Sequence, residues 1–161
     1  VESYVHCFSC LASYKYTILR YGNVYGPRQD PNGEAGVVAI FAKQMLEQKS
    51  VVIYGNGEQE RDFVYIADVV DANLQALKQE GNDVYNIGTG RRTTVNEIFA
   101  ELTSLTGYNT APIHKMSRLG DVFKIVLDAS KAQERLHWIP NVDLTEGLAL
   151  TVQYFRGSPK E

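Results

Sequence analysis

The chain has 161 residues, the size of one ordinary domain, with 44% hydrophobic and 22% charged residues, which excludes a disordered or collagen-like polymer. Its formal net charge of −3 provides no bulk attraction to nucleic acid or to an anionic membrane. No uncharged apolar run approaches the roughly 18 residues that a spanning helix requires.

Tyr4, Phe8 and Leu11 recur at helical spacing and predict an amphipathic helix over residues 1–13. The pattern is helical from Val1 onward, with no initiator Met and no leader, as expected of a piece of a longer protein. Two cysteines are too few for a secreted disulfide scaffold, so a cytoplasmic location is expected. Tyr16–Tyr21 is rich in β-branched and aromatic residues and reads as a strand. Gly22 to Gly36 reads as one long loop, and loops of that length are commonly functional.

A helix is expected from about residue 36 to 48, then a strand at Val51–Tyr54 that runs into the turn Gly55-Asn56-Gly57. Asp62–Ile66 reads as extended. Asp68 then caps a helix that ends at Gly81, with Val70, Leu74 and Leu77 facing inward. Val84–Ile87 reads as a buried strand. Thr94-Val-Asn-Glu97 has capping-box form and opens a helix whose face is Val95, Ile98, Phe99, Leu102 and Leu105, closed by Gly107. Ile125–Leu127 reads as extended, Ser130–Leu136 as helical, and Leu144, Leu148, Val152 and Phe155 mark a last amphipathic helix. Strands alternating with helices predict an α/β protein with mostly parallel pairing.

Several motifs have both a chemical and a plain reading. Cys7-Phe-Ser-Cys10 has redox spacing, but it lies mid-helix rather than at a helix N-terminus after a strand, so packing is the expected role. Gly88-Thr-Gly90 resembles the start of a dinucleotide turn, yet it lacks the third glycine and a following acidic residue. A strand-to-helix turn accounts for it without a ligand. His6, His114 and His137 are scattered, and no metal site is expected. Arg61 and Arg118 are either phosphate-binding forks, with Asp121 an acceptor for ribose hydroxyls, or members of local surface pairs Arg61–Asp62 and Arg118–Asp121.

Five segments come in a telling order: Leu19-Arg-Tyr-Gly-Asn23-Val-Tyr-Gly-Pro27-Arg-Gln, Val52-Ile-Tyr54-Gly-Asn-Gly, Arg61-Asp-Phe-Val-Tyr65-Ile-Ala-Asp68, Tyr85-Asn-Ile-Gly88 and Arg118-Leu-Gly-Asp121. Together they resemble the C-terminal half of an extended short-chain dehydrogenase/reductase of the NAD-dependent sugar-nucleotide epimerase/dehydratase group. Within that group the UDP-glucose 4-epimerases are the most similar. The resemblance implies that residues 1–30 and 84–87 pack with a Rossmann-type NAD-binding domain, and that most of 31–161 forms the smaller α/β substrate-binding lobe.

It also implies roles for individual residues. Asn23 matches the asparagine that bonds the diphosphate-sugar, and Tyr21 a residue near the nicotinamide end of the cofactor. Val52 and Tyr54 match the pair that brackets uracil. Arg61 and Arg118 match the arginines that grip the diphosphate, and Asp121 the acceptor for the ribose hydroxyls. The implied reaction is UDP-sugar 4-epimerisation through a 4-keto intermediate with NAD, in a homodimeric parent enzyme. None of the ten tyrosines is followed four residues later by lysine, so the Tyr-x-x-x-Lys pair of this group is not in the chain, and no catalytic residue is assigned. NAD is accordingly expected to bind mainly through an N-terminal half, and the chain alone is expected to be inactive. A 4,6-dehydratase, decarboxylase or keto-sugar reductase of the same group, a non-catalytic nucleotide-binding module and a CxxC redox protein are the alternatives.

Overall fold

A computed structural model describes residues 1–32 and 36–157; residues 33–35 of the long loop lie outside it. Helix α1 (Glu2–Ala12) leads into strand β1 (Thr17–Tyr21), which pairs in parallel with β6 (Asp83–Ile87), Leu19 opposite Tyr85. At Gly22 the chain changes partner. The Gly22 N–H still reaches the Ile87 carbonyl at 2.9 Å, and the next N–H, of Asn23, reaches the Asp62 carbonyl at 2.6 Å. Any side chain at Gly22 would stand 2.6 Å from that same oxygen, so the switch needs glycine. Strand β2 (Asn23–Tyr25) then runs parallel to β5 (Phe63–Tyr65).

The expected continuous loop from Gly22 is therefore corrected: the flanking glycines and Pro27 mask a three-residue strand. A third parallel pair joins β3 (Val52–Tyr54) to β8 (Ile113–Lys115), and β4 (Glu60–Arg61) meets β7 (Thr93–Thr94) antiparallel. Three of the four pairs are thus parallel, as an α/β chain requires.

Two apolar clusters hold these pairs. The larger lies beneath α2 (Val37–Leu46), α4 (Val95–Thr106) and α6 (Leu144–Gly157), with Phe41, Met45, Ile98, Leu102 and Leu148 at its centre. Helix α4 starts as the sequence requires: the Thr94 side chain accepts from the Glu97 N–H, and Glu97 accepts in turn from the Thr94 N–H at 2.6 Å. Gly107 closes it at φ 73°. Gly147 lets α6 lie against the Tyr25 ring, whose hydroxyl would be 2.2 Å from an added Cβ.

The smaller cluster joins β1, β6, α3 (Ile66–Ala76) and α5 (Ser130–Leu136) around Trp138. Here three expectations for α3 fail. Val70, Leu74 and Leu77 are exposed, and α3 buries Asp68, Val69 and Ala72 instead. Asp68 does not cap the helix, which starts at Ile66 with Tyr65 in the N-cap position. Its carboxylate accepts from the N–H groups of Asn141 and Val142 at 2.9 and 3.2 Å, while its carbonyl accepts from the Trp138 indole at 2.8 Å. Small side chains let α3 approach β1 closely, and this outweighs the larger apolar stripe on the other face. The helix also stops at Ala76, short of Gly81. Ile125–Leu127, read as extended, belongs to no named strand: Lys124 bridges Glu60, and the Ile125 N–H reaches the Glu60 carbonyl.

Helix α1 carries the last correction. Ser9 is its only buried residue; Tyr4, Phe8 and Leu11 are exposed, and so are Cys7 and Cys10, which therefore do not pack. Among the described residues nothing covers that apolar face.

Candidate functional site

Six residues spread over a hundred positions of sequence line one open cleft of about 640 Å³: Asn23, Val52, Tyr54, Arg61, Arg118 and Asp121. Each arrives there for a local reason. Asn23 opens β2, at the point where the chain leaves β6 for β5. Val52 and Tyr54 share one side of β3 because side chains alternate, and Ile53 between them is buried in the core at 1% exposure. Arg61 ends β4. Arg118 and Asp121 share a turn closed by the Asp121 N–H on the Arg118 carbonyl at 3.2 Å, with Gly120 at φ 82°.

The charges in the cleft are already engaged. The Arg61 guanidinium donates to Asp121 Oδ1 at 2.6 Å, to its neighbour's Glu60 carbonyl at 2.9 Å and to the Phe123 carbonyl at 3.3 Å. Its side chain is only 14% exposed, so this pair is better shielded from water than a surface bridge. The Arg118 guanidinium lies 4.1 Å from the centroid of the Tyr54 ring, a cation–π contact. Neither local pair considered from the sequence, Arg61–Asp62 or Arg118–Asp121, is formed. The Arg61–Asp121 bond spans 60 positions and has no signature in spacing.

The segment that carries Arg118 and Asp121 is held along β4. The Glu60 N–H donates to the Phe123 carbonyl at 2.8 Å, and the Ile125 N–H to the Glu60 carbonyl at 3.1 Å. Lys124 and Glu60 add an ion pair at 3.0 Å. A doubly charged diphosphate would find two guanidinium groups within one cleft, and a planar base would find an aromatic ring beside them.

Two glutamines in the cleft wall were not singled out in the sequence. Gln59 donates to the Tyr54 carbonyl at 2.6 Å, and its Oε1, like that of Gln44, is buried with no hydrogen-bond partner among the described residues. Glutamine is too common on surfaces for either to stand out before the fold is known.

Tyr21 lies apart from this cleft. It is 44% exposed, its hydroxyl donates to Asn73 Oδ1 at 3.0 Å, and it lines a separate depression of about 420 Å³ beside β1 and α3. The Gly88–Gly90 turn is unfit to cradle a dinucleotide phosphate. Its N–H groups at Thr89 and Gly90 already donate to the Asp62 carboxylate at 2.7 and 3.0 Å, so a carboxylate of the chain itself occupies the cradle.

The tyrosines argue in the same direction. Burial, reinforced by nearby carboxylates, pushes the acidities of Tyr25, Tyr65 and Tyr85 to higher pKa, opposite to what a proton-transferring tyrosine needs at neutral pH.

This geometry has close relatives. The structure of a Thermotoga maritima UDP-glucose 4-epimerase with UDP-glucose superposes at a TM-score of 0.94 with 57% identity, over 96% of this chain and 50% of that one. A Thermus thermophilus UDP-glucose 4-epimerase in complex with NAD matches at a TM-score of 0.89 and 40% identity, over 98% of this chain and 52% of that one. In sequence, UDP-glucose 4-epimerase of Mycolicibacterium smegmatis is 40% identical over 156 residues, 96% of this chain and 50% of the relative. The chain thus spans about half the length of the relatives it matches. A family model described as the NAD dependent epimerase/dehydratase family matches residues 1–88, from α1 through the β1–β6 pair and the cleft residues Asn23, Val52, Tyr54 and Arg61. With its parallel strands, its ordered motifs and that match over more than half its length, the chain belongs to the NAD-dependent epimerase/dehydratase family.

Proposed function

We propose that this chain provides the sugar-nucleotide site of an NAD-dependent UDP-sugar 4-epimerase that interconverts UDP-glucose and UDP-galactose. The observation that carries the reading is the convergence of Tyr54, Arg61, Arg118 and Asp121 on one cleft. In this reading Val52 and Tyr54 bracket the uracil, Arg61 and Arg118 bind the diphosphate, Asp121 accepts from the ribose hydroxyls, and Asn23 reaches the diphosphate-sugar. NAD supplies the hydride acceptor and donor for chemistry at the sugar C4.

What the residues of this chain do is anchor. A nucleotide held at base, ribose and diphosphate leaves the hexose without a fixed orientation, and a 4-keto sugar that must present both faces needs that freedom. Arg61 must exchange its bond to Asp121 for one to phosphate, which neutral ligands cannot repay. The site therefore selects a dianionic diphosphate over an uncharged nucleoside. The proton-transferring tyrosine and lysine are assigned to residues other than these 161. Tyr21 is proposed to approach the nicotinamide end of the cofactor. The whole protein is proposed to be a cytoplasmic homodimer, with the exposed apolar face of α1 as support for a covered surface.

Calorimetric titration tests the reading. UDP-glucose and UDP-galactose are expected to bind with dissociation constants within about threefold of each other, because the interactions that differ between them are few. Failure of either to bind at millimolar concentration, or strong preference for one hexose, would contradict it. The same chain mixed with NAD and UDP-galactose is expected to form no UDP-glucose.

A further inference from the structure

Asp62 is fully buried at 0% exposure, and no side-chain cation pairs with it among the described residues. Four donors surround its carboxylate instead. Oδ1 accepts from the Thr89 N–H and the Thr89 hydroxyl, both at 2.7 Å, and Oδ2 accepts from the Gly90 N–H at 3.0 Å and the Leu127 N–H at 3.2 Å. The fit leaves no spare room: a Cβ at Gly88 would lie 2.6 Å from Oδ2. A buried carboxylate costs several kcal/mol unless its lone pairs are filled, so such a residue persists only where its bonds are all made.

The position of this residue matters more than its charge. Its own carbonyl accepts from the Asn23 N–H at 2.6 Å. Its chain neighbour is Arg61. Through Leu127 it ties down the end of the segment that carries Arg118 and Asp121 and that runs along Glu60.

We propose that Asp62 is the positioning residue of the cleft: its carbonyl holds Asn23, its carboxylate fastens the Gly88–Gly90 turn and, through Leu127, the end of the segment that carries the Arg118–Asp121 turn, and this anchoring of the residue next to Arg61 sets the spacing of the diphosphate-binding groups. The base-binding residues Val52 and Tyr54 sit on β3, whose partner is β8; among the described residues neither bonds Asp62, and Tyr54 meets the held segment only where the Arg118 guanidinium covers its ring. The proposal rests on the nucleotide reading of the cleft. It predicts that disturbing Asp62 weakens diphosphate recognition and spares base recognition.

Asp62→Asn is the test. An asparagine oxygen can keep both bonds from Thr89, but its NH₂ then faces the N–H groups of Gly90 and Leu127 and frees the segment beyond. With the full chain, the dissociation constant for UDP is expected to rise about tenfold, while that for free uracil, which lacks the ribose bound by Asp121, stays within about twofold by ligand NMR. A merely structural role would lower the melting temperature and leave the ratio of the two constants unchanged. An unchanged UDP constant, or equal losses for UDP and uracil, overturns the proposal. A wild-type chain that binds no UDP overturns the nucleotide reading itself, and this inference with it. If Asp62→Asn does not fold, Thr89→Ala, which removes one of the four donors, is expected to weaken UDP about threefold with uracil unchanged. An unchanged ratio there overturns the proposal as well.

Discussion

Replacing Arg118 by alanine should weaken UDP binding by about five- to thirty-fold. A charged hydrogen bond to phosphate contributes about 1.5–3 kcal/mol. The full value is not available, because the free protein already engages the guanidinium with the Tyr54 ring at 4.1 Å. An exposed contact of that kind is worth about 0.5–1 kcal/mol, and the base must displace it to stack on the ring. The difference, about 1–2 kcal/mol, gives the expected factor. Calorimetry of wild type and variant at fixed low ionic strength measures it, since salt screens exposed charges. Met116→Ala, at a neighbouring position that is 92% exposed, is the control and should change nothing. Uridine should bind Arg118→Ala no more weakly than wild type, because the variant leaves the ring free. A UDP constant unchanged within about twofold, or equal losses for uridine and UDP, would refute the reasoning.

Gly147→Ala should cost about 1–2 kcal/mol in urea unfolding even though alanine is the better helix former by about 1 kcal/mol, because its Cβ would meet the Tyr25 hydroxyl at 2.2 Å and the Tyr65 ring at 3.0 Å, both buried; an unchanged or higher midpoint would show that the rings can move aside. At Asp83, burial opposes ionisation, but hydrogen bonds from Lys131 and the Val84 N–H, with the Lys131 charge, outweigh it and hold the carboxyl below the usual aspartate range. A carboxyl lowered on folding stabilises above its unfolded pKa of about 3.9, and that contribution disappears as pH falls through the lower folded value. Asp83→Asn should therefore lose less stability than wild type between neutral pH and about pH 2, and parallel stability curves would count against the assignment.

How much of this was legible beforehand depended on whether a feature is local. Helix α4 was readable because the Thr94–Glu97 box and Gly107 carry their own geometry within a few residues. Strand β8 was not, since Ile113, His114 and Lys115 are all exposed and only their pairing with β3 defines them. On α3 the stripe Val70, Leu74 and Leu77 obeyed the helical period but named the wrong face, because close approach to β1 favours Ala72 over leucine. The cysteines of α1 were misread for a related reason: burial depends on a neighbour, and periodicity cannot say whether one is present.

The site divides in the same way. Ordered motifs identified Asn23, Val52, Tyr54, Arg61, Arg118 and Asp121, and they share one cleft. The Arg61–Asp121 bond and the Asp62 network join residues 60 or more and 27 or more positions apart, and only the fold brings them together. The Gly88–Gly90 turn was read as needing no ligand; the structure adds that Asp62 fills it.

The central claim is that this cleft binds a uridine diphosphate. Backbone and side-chain NMR shifts recorded during a UDP titration address it most directly. The account predicts saturable changes gathered at Asn23, Tyr54, Arg61, Arg118 and Asp121, with little at the depression beside Tyr21 and Asn73. Changes centred on that depression, or none up to millimolar UDP, would contradict it.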